Sequence, residues 1–280
     1  MSSSVDLTRR RIVLAGAAFA GLAGLAASVP RAQAQQLISF DKSDVPDLPE
    51  FRKLIAANRI LAFENVVDAF GHVSVRDPRN PANFVMSRSR SPALVEPADL
   101  MVFDLKGNPL DLRGRTVYGE RMIHAAIYAA RPEVNSVVHS HTYSVLPFTI
   151  TNVPLRPVVH AASVIGAEIP VWDIRTDFGD TDMLVRSIEQ GASLARKLAN
   201  NTCVLMRGHG VAVVGAGIER AVLTAIYLKI NADVILQARA LGESKALSDA
   251  EIQLATSAQF SDLALPRAWE YFCSRAGVEF

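Results

Sequence analysis

Strand and helix patterns mix irregularly along this chain, and that mixture limits the fold more than any other feature of the sequence. Alternating or continuous apolar residues predict six strand-forming segments: "GHVSVRD", "NFVMS", "LMVFDLKGNPLDL" with a hairpin turn at Gly107-Asn108, "NSVVHSH", "IPVWDI" and "TCVLMRGHGVAVVG". Strict strand–helix–strand alternation would predict a parallel sheet. The irregular order instead favours a mixed or antiparallel sheet covered by helices.

Apolar residues at helical spacing predict the covering helices. The segments are "LPEFRKLIAANRILAFENVVDAF", "GERMIHAAIYAARPEV", "DMLVRSIEQGASLARKLAN", a long stretch from Ile218 to Leu241, "SDAEIQLATSA" and "PRAWEYFCSRA".

The N-terminus has the pattern of an export signal. Arg9, Arg10 and Arg11 precede a run of apolar and small residues, which ends in the cleavage motif Ala32-Gln33-Ala34. The paired arginines after Thr8 resemble the twin-arginine type. A membrane anchor is the alternative, because the run is about long enough to span a bilayer. We predict a twin-arginine-type signal peptide at 1–34 and a mature domain at 35–280, periplasmic or secreted and not stably inserted in the membrane.

Charge argues against a nucleic-acid partner. Removing residues 1–34 takes away four arginines and one aspartate, which leaves 25 basic and 27 acidic residues and a net charge of −2. Nucleic-acid binding calls for a basic surface. The remaining 246 residues suffice for one large α/β domain.

The two cysteines lie in apolar surroundings. Cys203 is in "TCVLM" and Cys273 is in "EYFCS". An oxidising compartment would allow a disulfide, but buried free thiols are the favoured interpretation. No CxxC spacing indicates metal or redox chemistry.

Two histidines lie close together in "VVHSHTYS". Residues two apart on a strand point to the same face, so His139 and His141 should project together. Two adjacent imidazoles pack poorly in a core but form half of a metal site.

Two further residues could complete such a site. His209 lies in "MRGHGVAVVG" between glycines that allow a tight turn; a surface turn histidine is the alternative. Glu120 opens the helix that leads into the His139 strand, where the helix dipole alone would stabilise a carboxylate. If the strand end and the helix start face one cleft, Glu120 could act as a metal ligand or as a general acid or base.

The segment Gly119–His141 and the later "LMRGHG" together resemble the class II aldolase/adducin family, over about residues 50–245. The resemblance implies that His139, His141 and His209 are metal ligands and that Glu120 is the catalytic acid/base. It also implies a three-layer α/β/α fold around a mostly antiparallel sheet, one divalent metal per chain (zinc or manganese, with iron as a further option), and a homo-oligomer, commonly a tetramer.

The chain departs from the sugar-phosphate aldolases of that family where they bind phosphate. Their Ser-Ser pair is replaced by Tyr118-Gly119, and their Gly-Asn is Gly71-His72 here. Their short Ser-Gly turn is replaced by "SRSRSPALV". Arginine forks suit planar carboxylates, although a solvated loop is the alternative for the arginines. The substrate-binding residues that we predict are His72, Ser74, Arg88 and Arg90.

The segments "GHVSVRDP", "PLRPVVHAA" and "DFGDTDMLV" resemble the decarboxylase branch, which includes 3-hydroxy-2-methylpyridine-4,5-dicarboxylate decarboxylase and 3,4-dihydroxyphthalate decarboxylase. In this pattern His160 is a catalytic proton donor or substrate contact at the edge of the site. His124, on the same helix face as Glu120, is an orienting group or a packed core histidine.

The resemblance implies a metal-dependent carbon–carbon lyase that acts on a small molecule, with decarboxylation of a hydroxylated aromatic carboxylate favoured. Three alternatives stay open. One is an aldolase or epimerase of a sugar or hydroxy acid, another is a metal-dependent oxygenase, and the third is a non-enzymatic adducin-like protein.

Overall fold

The fold is built on one mixed sheet, seen in a computed structural model that describes residues 38–279. The predicted signal peptide therefore lies outside the described residues. Within them the sheet has seven strands in the order β3-β2-β1-β4-β7-β6-β5. Only the β5–β6 pair is parallel, so the sheet is mostly antiparallel, as predicted. The strands are β1 (His72–Arg76), β2 (Asn83–Ser87), β3 (Leu100–Asp104), β4 (Ser136–Ser140), β5 (Val171–Trp172), β6 (Cys203–Met206) and β7 (Gly210–Gly215).

Helices cover both faces of the sheet. Helices α1, α6 and α8 belong to one apolar core, and α2 and α5 belong to a second core on the opposite face. The three-layer α/β/α prediction is confirmed. The helices are α1 (Pro49–Phe63), α2 (Arg121–Ala130), α3 (Leu146–Thr149), α4 (Ile174–Phe178), α5 (Ile188–Leu198), α6 (Ile218–Ala238), α7 (Asp249–Gln259) and α8 (Ala264–Arg275), with 3₁₀ turns at Pro92–Leu94, Pro97–Asp99 and His160–Ile165.

Helix α6 is long and apolar enough to cross a membrane, judged by length and composition alone. In this fold it packs against α1 and strand β7. Ala221, Val222 and Ala225 along it are buried in the first core. Core helices have the same length and composition, and α6 is one of them.

The period of two along the strands separates the two cores. On β4, Val138 packs into the α1/α6 core and Val137 packs into the α2/α5 core. His139 follows by the same alternation and faces the α2/α5 side. The sheet therefore directs His139 towards the helix layer that contains α2.

The structure differs from the prediction at three element boundaries. The first helix ends at Phe63 instead of continuing to Phe70. Helix α5 begins at Ile188, after a capping box between Ser187 and Gln190, so the predicted first turns are not helical. The hairpin after β3 is reduced to a single bridge between Phe103 and Pro109.

The cysteine prediction is confirmed. Cys203 and Cys273 are both free and buried. Burial raises the pKa of both thiols, that of Cys273 to about 12, so both stay protonated and unreactive at neutral pH.

Candidate metal centre

Three imidazoles and one carboxylate meet at the end of strand β4. Nε2 of His141 lies 3.1 Å from Nε2 of His139 and 3.0 Å from Nε2 of His209. Oε2 of Glu120 lies 3.5 Å from Nε2 of both His139 and His209. One ligand atom from each of the four residues lies within 4.8 Å of the others. The end of β4, the glycine-flanked turn and the start of α2 thus meet at one point in the structure.

The sheet fixes the positions of these histidines. His139 is paired with His72 of β1 on one side and with Ala212 of β7 on the other. His209 lies in the turn between β6 and β7. Gly210 follows it, at a position where a Cβ would lie 2.2 Å from the backbone oxygen of Ser140. Glycine at 210 therefore lets β7 approach β4 closely enough for His209 to reach His141.

Backbone carbonyls orient two of the rings. Nδ1 of His139 donates to the Val211 carbonyl (3.1 Å), and Nδ1 of His209 donates to the Met183 carbonyl (2.9 Å). A carbonyl only accepts, so each Nδ1 carries the ring proton and each Nε2 presents a lone pair to the cluster. Burial, and then the charges that the neighbouring imidazoles can carry, lowers the pKa of His141 to about 4, so this ring is neutral at pH 7.

Lone pairs converging at these distances repel each other unless a cation lies among them. Three neutral imidazoles with one carboxylate are a donor set suited to a borderline divalent metal such as zinc, manganese or iron. Hydrogen bonds from the distal ring nitrogens to carbonyls are the usual support of metal-binding histidines. The residues present therefore fit the predicted metal.

Glu120 is the N-cap residue of helix α2, and its side chain is only 12% exposed. Its Oε1 accepts the backbone N–H of Val185 (3.0 Å). Burial raises the pKa of this carboxyl, but positive charge on His139 and His209, or on a cation that they hold, lowers it more, and the net direction is well below the ordinary value. Glu120 is therefore a carboxylate at neutral pH, held by one oxygen and facing the imidazoles with the other.

One short backbone segment, Met183–Val185, contacts both sides of the cluster. Its first residue accepts from His209 and its last residue donates to Glu120. Met183 has a φ of 67°, which is uncommon for a residue other than glycine. The sequence predicted helix here, so this support was missed. The Ser187–Gln190 capping box was the pattern that could have placed the helix start later.

His72 and Ser74, both predicted to bind substrate, belong to a buried chain of polar side chains. Nδ1 of His72 lies 2.7 Å from Nε2 of His124, and Nδ1 of His124 lies 2.6 Å from Oγ of Ser74. Ser74 is 0% exposed and lies 2.8 Å from the phenol oxygen of Tyr128. Ser74 thus has no surface to offer a substrate in this structure, and its hydroxyl aligns His124. His124 is both the orienting group and the buried core residue that were weighed as alternatives.

Arg88 and Arg90, also predicted to bind substrate, already have a carboxylate partner. Nε of Arg88 and Nη1 of Arg90 lie 2.7 Å and 2.8 Å from the two carboxylate oxygens of Asp99. The backbone of Arg90 bonds to the phenol of Tyr118, whose ring lies 4.6 Å from the ring of His72. The backbone of Arg90 is therefore linked through Tyr118 to His72, and one nitrogen of each guanidinium is bound to Asp99. The sequence did not indicate this pairing.

His160 has a side-chain contact with helix α7. It begins the 3₁₀ turn His160–Ile165, is exposed, and has its Nδ1 3.0 Å from Nε2 of Gln259 on α7. In the part of the chain that the structure describes, no hydrogen bond, ion pair or ring contact joins His160 to the four-residue cluster.

Two exposed aromatic residues lie beside the cluster. The Phe70 ring lies 6.3 Å from that of His141 and is 66% exposed. Tyr143, two residues after His141, is 74% exposed, and its phenol lies 3.4 Å from a carboxylate oxygen of Asp68. The Phe70 ring therefore provides exposed hydrocarbon surface near His141.

The chain resembles known proteins along most of its length. Residues 52–236 match the family described as the class II aldolase and adducin N-terminal domain. A decarboxylase of Talaromyces stipitatus, tropJ, is 38% identical over 71% of this chain and 79% of its own length. The 3,4-dihydroxyphthalate decarboxylase of Arthrobacter keyseri is 30% identical over 72% of this chain and 84% of its own.

A solved structure has the same fold. The L-fuculose 1-phosphate aldolase of Glaciozyma antarctica aligns with a TM-score of 0.65 at 24% identity, over 82% of this chain and 93% of that chain.

Proposed function

The chain belongs to the class II aldolase and adducin family and is an enzyme of the lyase type, and from this premise we propose that it is a divalent-metal-dependent decarboxylase of a hydroxylated aromatic carboxylate. The observation that carries the proposal is the convergence of Glu120, His139, His141 and His209 on one point. The similarity to two decarboxylases, one of which is named for a dihydroxylated phthalate, supports the direction of the chemistry.

His139, His141 and His209 would hold the metal through Nε2. A divalent metal there would stabilise negative charge on a substrate oxygen as carbon dioxide leaves. The proposed ligand set leaves coordination positions for substrate, since catalytic sites keep such positions open. Zinc or manganese fits best, and iron is the further option.

Glu120 would move the proton. As a carboxylate it can accept the proton of a substrate hydroxyl. When the bond from the ring carbon to the carboxylate breaks and carbon dioxide leaves, the electron pair stays on that carbon. Glu120 then returns the proton to the same carbon, and water restores the hydroxyl. Its Oε2 faces the cluster, whereas His160 is exposed and bonded to Gln259, so the geometry favours Glu120 for this step.

The aromatic border supports an aromatic substrate. Phe70 is exposed with its ring 6.3 Å from that of His141, and the exposed Tyr143 follows His141 by two residues. Exposed aromatic side chains suit an aromatic ring better than a sugar phosphate. The phosphate-binding serines of the aldolases are also replaced here by Tyr118-Gly119.

The experiment compares two bond cleavages. The purified protein is stripped of metal, reloaded with zinc, manganese or ferrous iron, and assayed for carbon dioxide release from 3,4-dihydroxyphthalate and for aldehyde release from L-fuculose 1-phosphate. Carbon dioxide release that needs the metal supports the proposal. Aldehyde release alone would assign an aldolase. A protein that takes up no metal and releases neither product would favour the adducin-like role.

Variants then test the residue roles. Glu120→Gln keeps the shape of the side chain but cannot accept a proton, so turnover should fall by roughly 10²- to 10⁴-fold while metal content stays near wild type. His141→Ala should lower metal content itself. His160→Gln should leave turnover unchanged, and a loss comparable to that of Glu120→Gln would return the proton step to His160.

We further propose that the mature protein is exported and forms a homo-oligomer, with a tetramer favoured. Mass measurement in solution on the purified mature chain would test the assembly. A monomer at working concentration would contradict it.

A further inference from the structure

Four buried side chains form an unbroken chain of hydrogen bonds that ends beside the candidate metal centre. We name this chain the His72 relay; it consists of Tyr128, Ser74, His124 and His72. The three donor–acceptor distances are 2.8, 2.6 and 2.7 Å in that order. The four residues are between 0% and 4% exposed. Each proton in the relay must therefore be donated within the protein or lose a hydrogen bond.

The phenol of Tyr128 fixes the direction of donation. Burial raises the pKa of the Tyr128 phenol, so the phenol keeps its proton. Among residues 38–279, the hydroxyl of Ser74 is the one acceptor in hydrogen-bond distance of the phenol. Tyr128 therefore donates to Ser74.

The remaining protons follow from that assignment. Ser74 uses its own proton on its other partner, Nδ1 of His124, which must then be a lone pair. The proton of His124 is accordingly on Nε2 and is donated to Nδ1 of His72. The opposite direction would leave the hydroxyl of Tyr128, which is enclosed by protein, without an acceptor, at a cost of about 1–3 kcal/mol. The assigned direction instead places the remaining proton on His72, beside the metal centre, where a substrate or water oxygen can accept it.

His72 is left with its proton on Nε2. This nitrogen makes no hydrogen bond within the described part of the chain, and the ring lies 5.2 Å from the ring of His139, its cross-strand partner. A substrate oxygen held next to His139 would lie within reach of that N–H.

We propose that His72 is a fixed hydrogen-bond donor to a carboxylate oxygen of the substrate, and that Tyr128, Ser74 and His124 are positioning residues that impose its tautomer. The identity of the substrate rests on the proposed function. The tautomer does not, because it follows from the hydrogen bonds alone. A donor at this position selects anionic oxygens and disfavours ammonium groups.

Nuclear magnetic resonance of the zinc-loaded protein tests the tautomer directly. With ¹⁵N-labelled histidine, protonated and bare ring nitrogens have distinct shifts, and the six histidines of the chain are few enough to assign by substitution. His72 and His124 should each show a protonated Nε2 and a bare Nδ1. A proton on Nδ1 of His72 in the wild-type protein would overturn the proposal.

The substitution Tyr128→Phe, which removes the phenol hydroxyl, tests whether Tyr128 imposes the tautomer of His72. In Tyr128→Phe, Ser74 can either donate to or accept from His124, so His72 should lose its single tautomer. Tyr227→Phe, on α6, is the matched control and should leave the spectrum unchanged. A pure Nε2–H tautomer in Tyr128→Phe would show that Tyr128 does not impose it. Ser74→Ala gives a second test if Tyr128→Phe does not fold.

Phthalate, a dicarboxylate without hydroxyl groups, tests the donor role by its dissociation constant. His72→Phe should weaken binding by roughly 10- to 100-fold, because a hydrogen bond to a charged group is lost. His72→Asn keeps a side-chain N–H and should restore most of the affinity. Equal binding by His72→Phe and wild type would sink the donor role. Failure to release carbon dioxide, with the tautomer and phthalate results intact, would overturn only the proposed reaction.

Discussion

Gly210→Ala should damage the metal centre without touching a ligand. The added Cβ would lie 2.2 Å from the backbone oxygen of Ser140 and 3.2 Å from Cδ2 of His141. Carbon and oxygen in ordinary contact are about 3.3 Å apart. Strands β4 and β7 must therefore separate by about 1 Å at the point where His141 and His209 face each other.

The size of the effect follows from the ligand geometry. The two Nε2 atoms of His141 and His209 are 3.0 Å apart. Metal–imidazole distances hold within about 0.2 Å, so a displacement of about 1 Å breaks or distorts one bond. Metal affinity should fall by at least about 100-fold, which is the upper end of what loss of an outer hydrogen-bond partner costs. The free energy of unfolding of the metal-free protein should fall by about 1–3 kcal/mol, as for other overpacked sites.

Gly215→Ala is the matched control, because it lies at the other end of the same strand. Its Cβ would lie 2.6 Å from the backbone nitrogen of Ala221, so it also clashes with backbone. The assay is competition of each variant with a zinc chelator, beside urea unfolding of the stripped proteins. Both variants should lose stability, and only Gly210→Ala should lose metal affinity. Wild-type zinc affinity in a destabilised Gly210→Ala would refute the argument that the β4–β7 contact sets the ligand spacing.

Three further predictions concern other parts of the chain. Arg90→Ala should raise KM for a carboxylate substrate more than it lowers kcat, as expected if Arg90 binds the substrate carboxylate. A lower free energy of unfolding with an unchanged KM would show instead that the only role of Arg90 is its ion pair with Asp99. The metal-free protein should lose stability as pH falls from about 6.5 towards 3. The reason is that burial lowers the pKa of His124 to about 3, so the unfolded state takes up that proton first, at ~1.4 kcal/mol per pH unit. Urea unfolding at several pH values should show a shallower acid slope for His124→Gln, and an equal slope would contradict this source. N-terminal sequencing of protein from its native host should begin at Gln35, whereas a functional cytoplasmic chain with an intact N-terminus would rule out export.

Local periodicity predicted part of the cluster, and the family resemblance implied the complete ligand set. A period of two placed His139 and His141 together, and glycines on both sides of His209 indicated the turn. Their Nε2 atoms lie within 3.1 Å in the chain His139–His141–His209. Strand geometry is a short-range property, so a few neighbouring letters determine it.

The supports of the cluster could not be predicted in the same way. Val185 is 65 residues from Glu120 and contributes only a backbone N–H, which every residue except proline possesses. The identity of the residue therefore carries no indication of the contact. The ion pairs of Asp99 with Arg88 and Arg90 could not be predicted for a different reason. Arginines in a polar loop have the same sequence pattern whether they bind a carboxylate of the protein or one of a substrate.

The four cluster residues differ in the hydrogen bonds that hold their side chains. The ring of His139 is fixed within a strand pair and by the Val211 carbonyl, and that of His209 is fixed by the Met183 carbonyl. Among the described residues, Glu120 accepts one hydrogen bond from the backbone, from Val185 to Oε1, and its Oε2 accepts none. Metal ligands need constant distances, whereas a group that takes a proton from one atom and delivers it to another must move between them. The ring of His141 has no such support among the described residues, so the metal itself would fix it, whereas Glu120, with one oxygen held, keeps its other oxygen available for proton transfer.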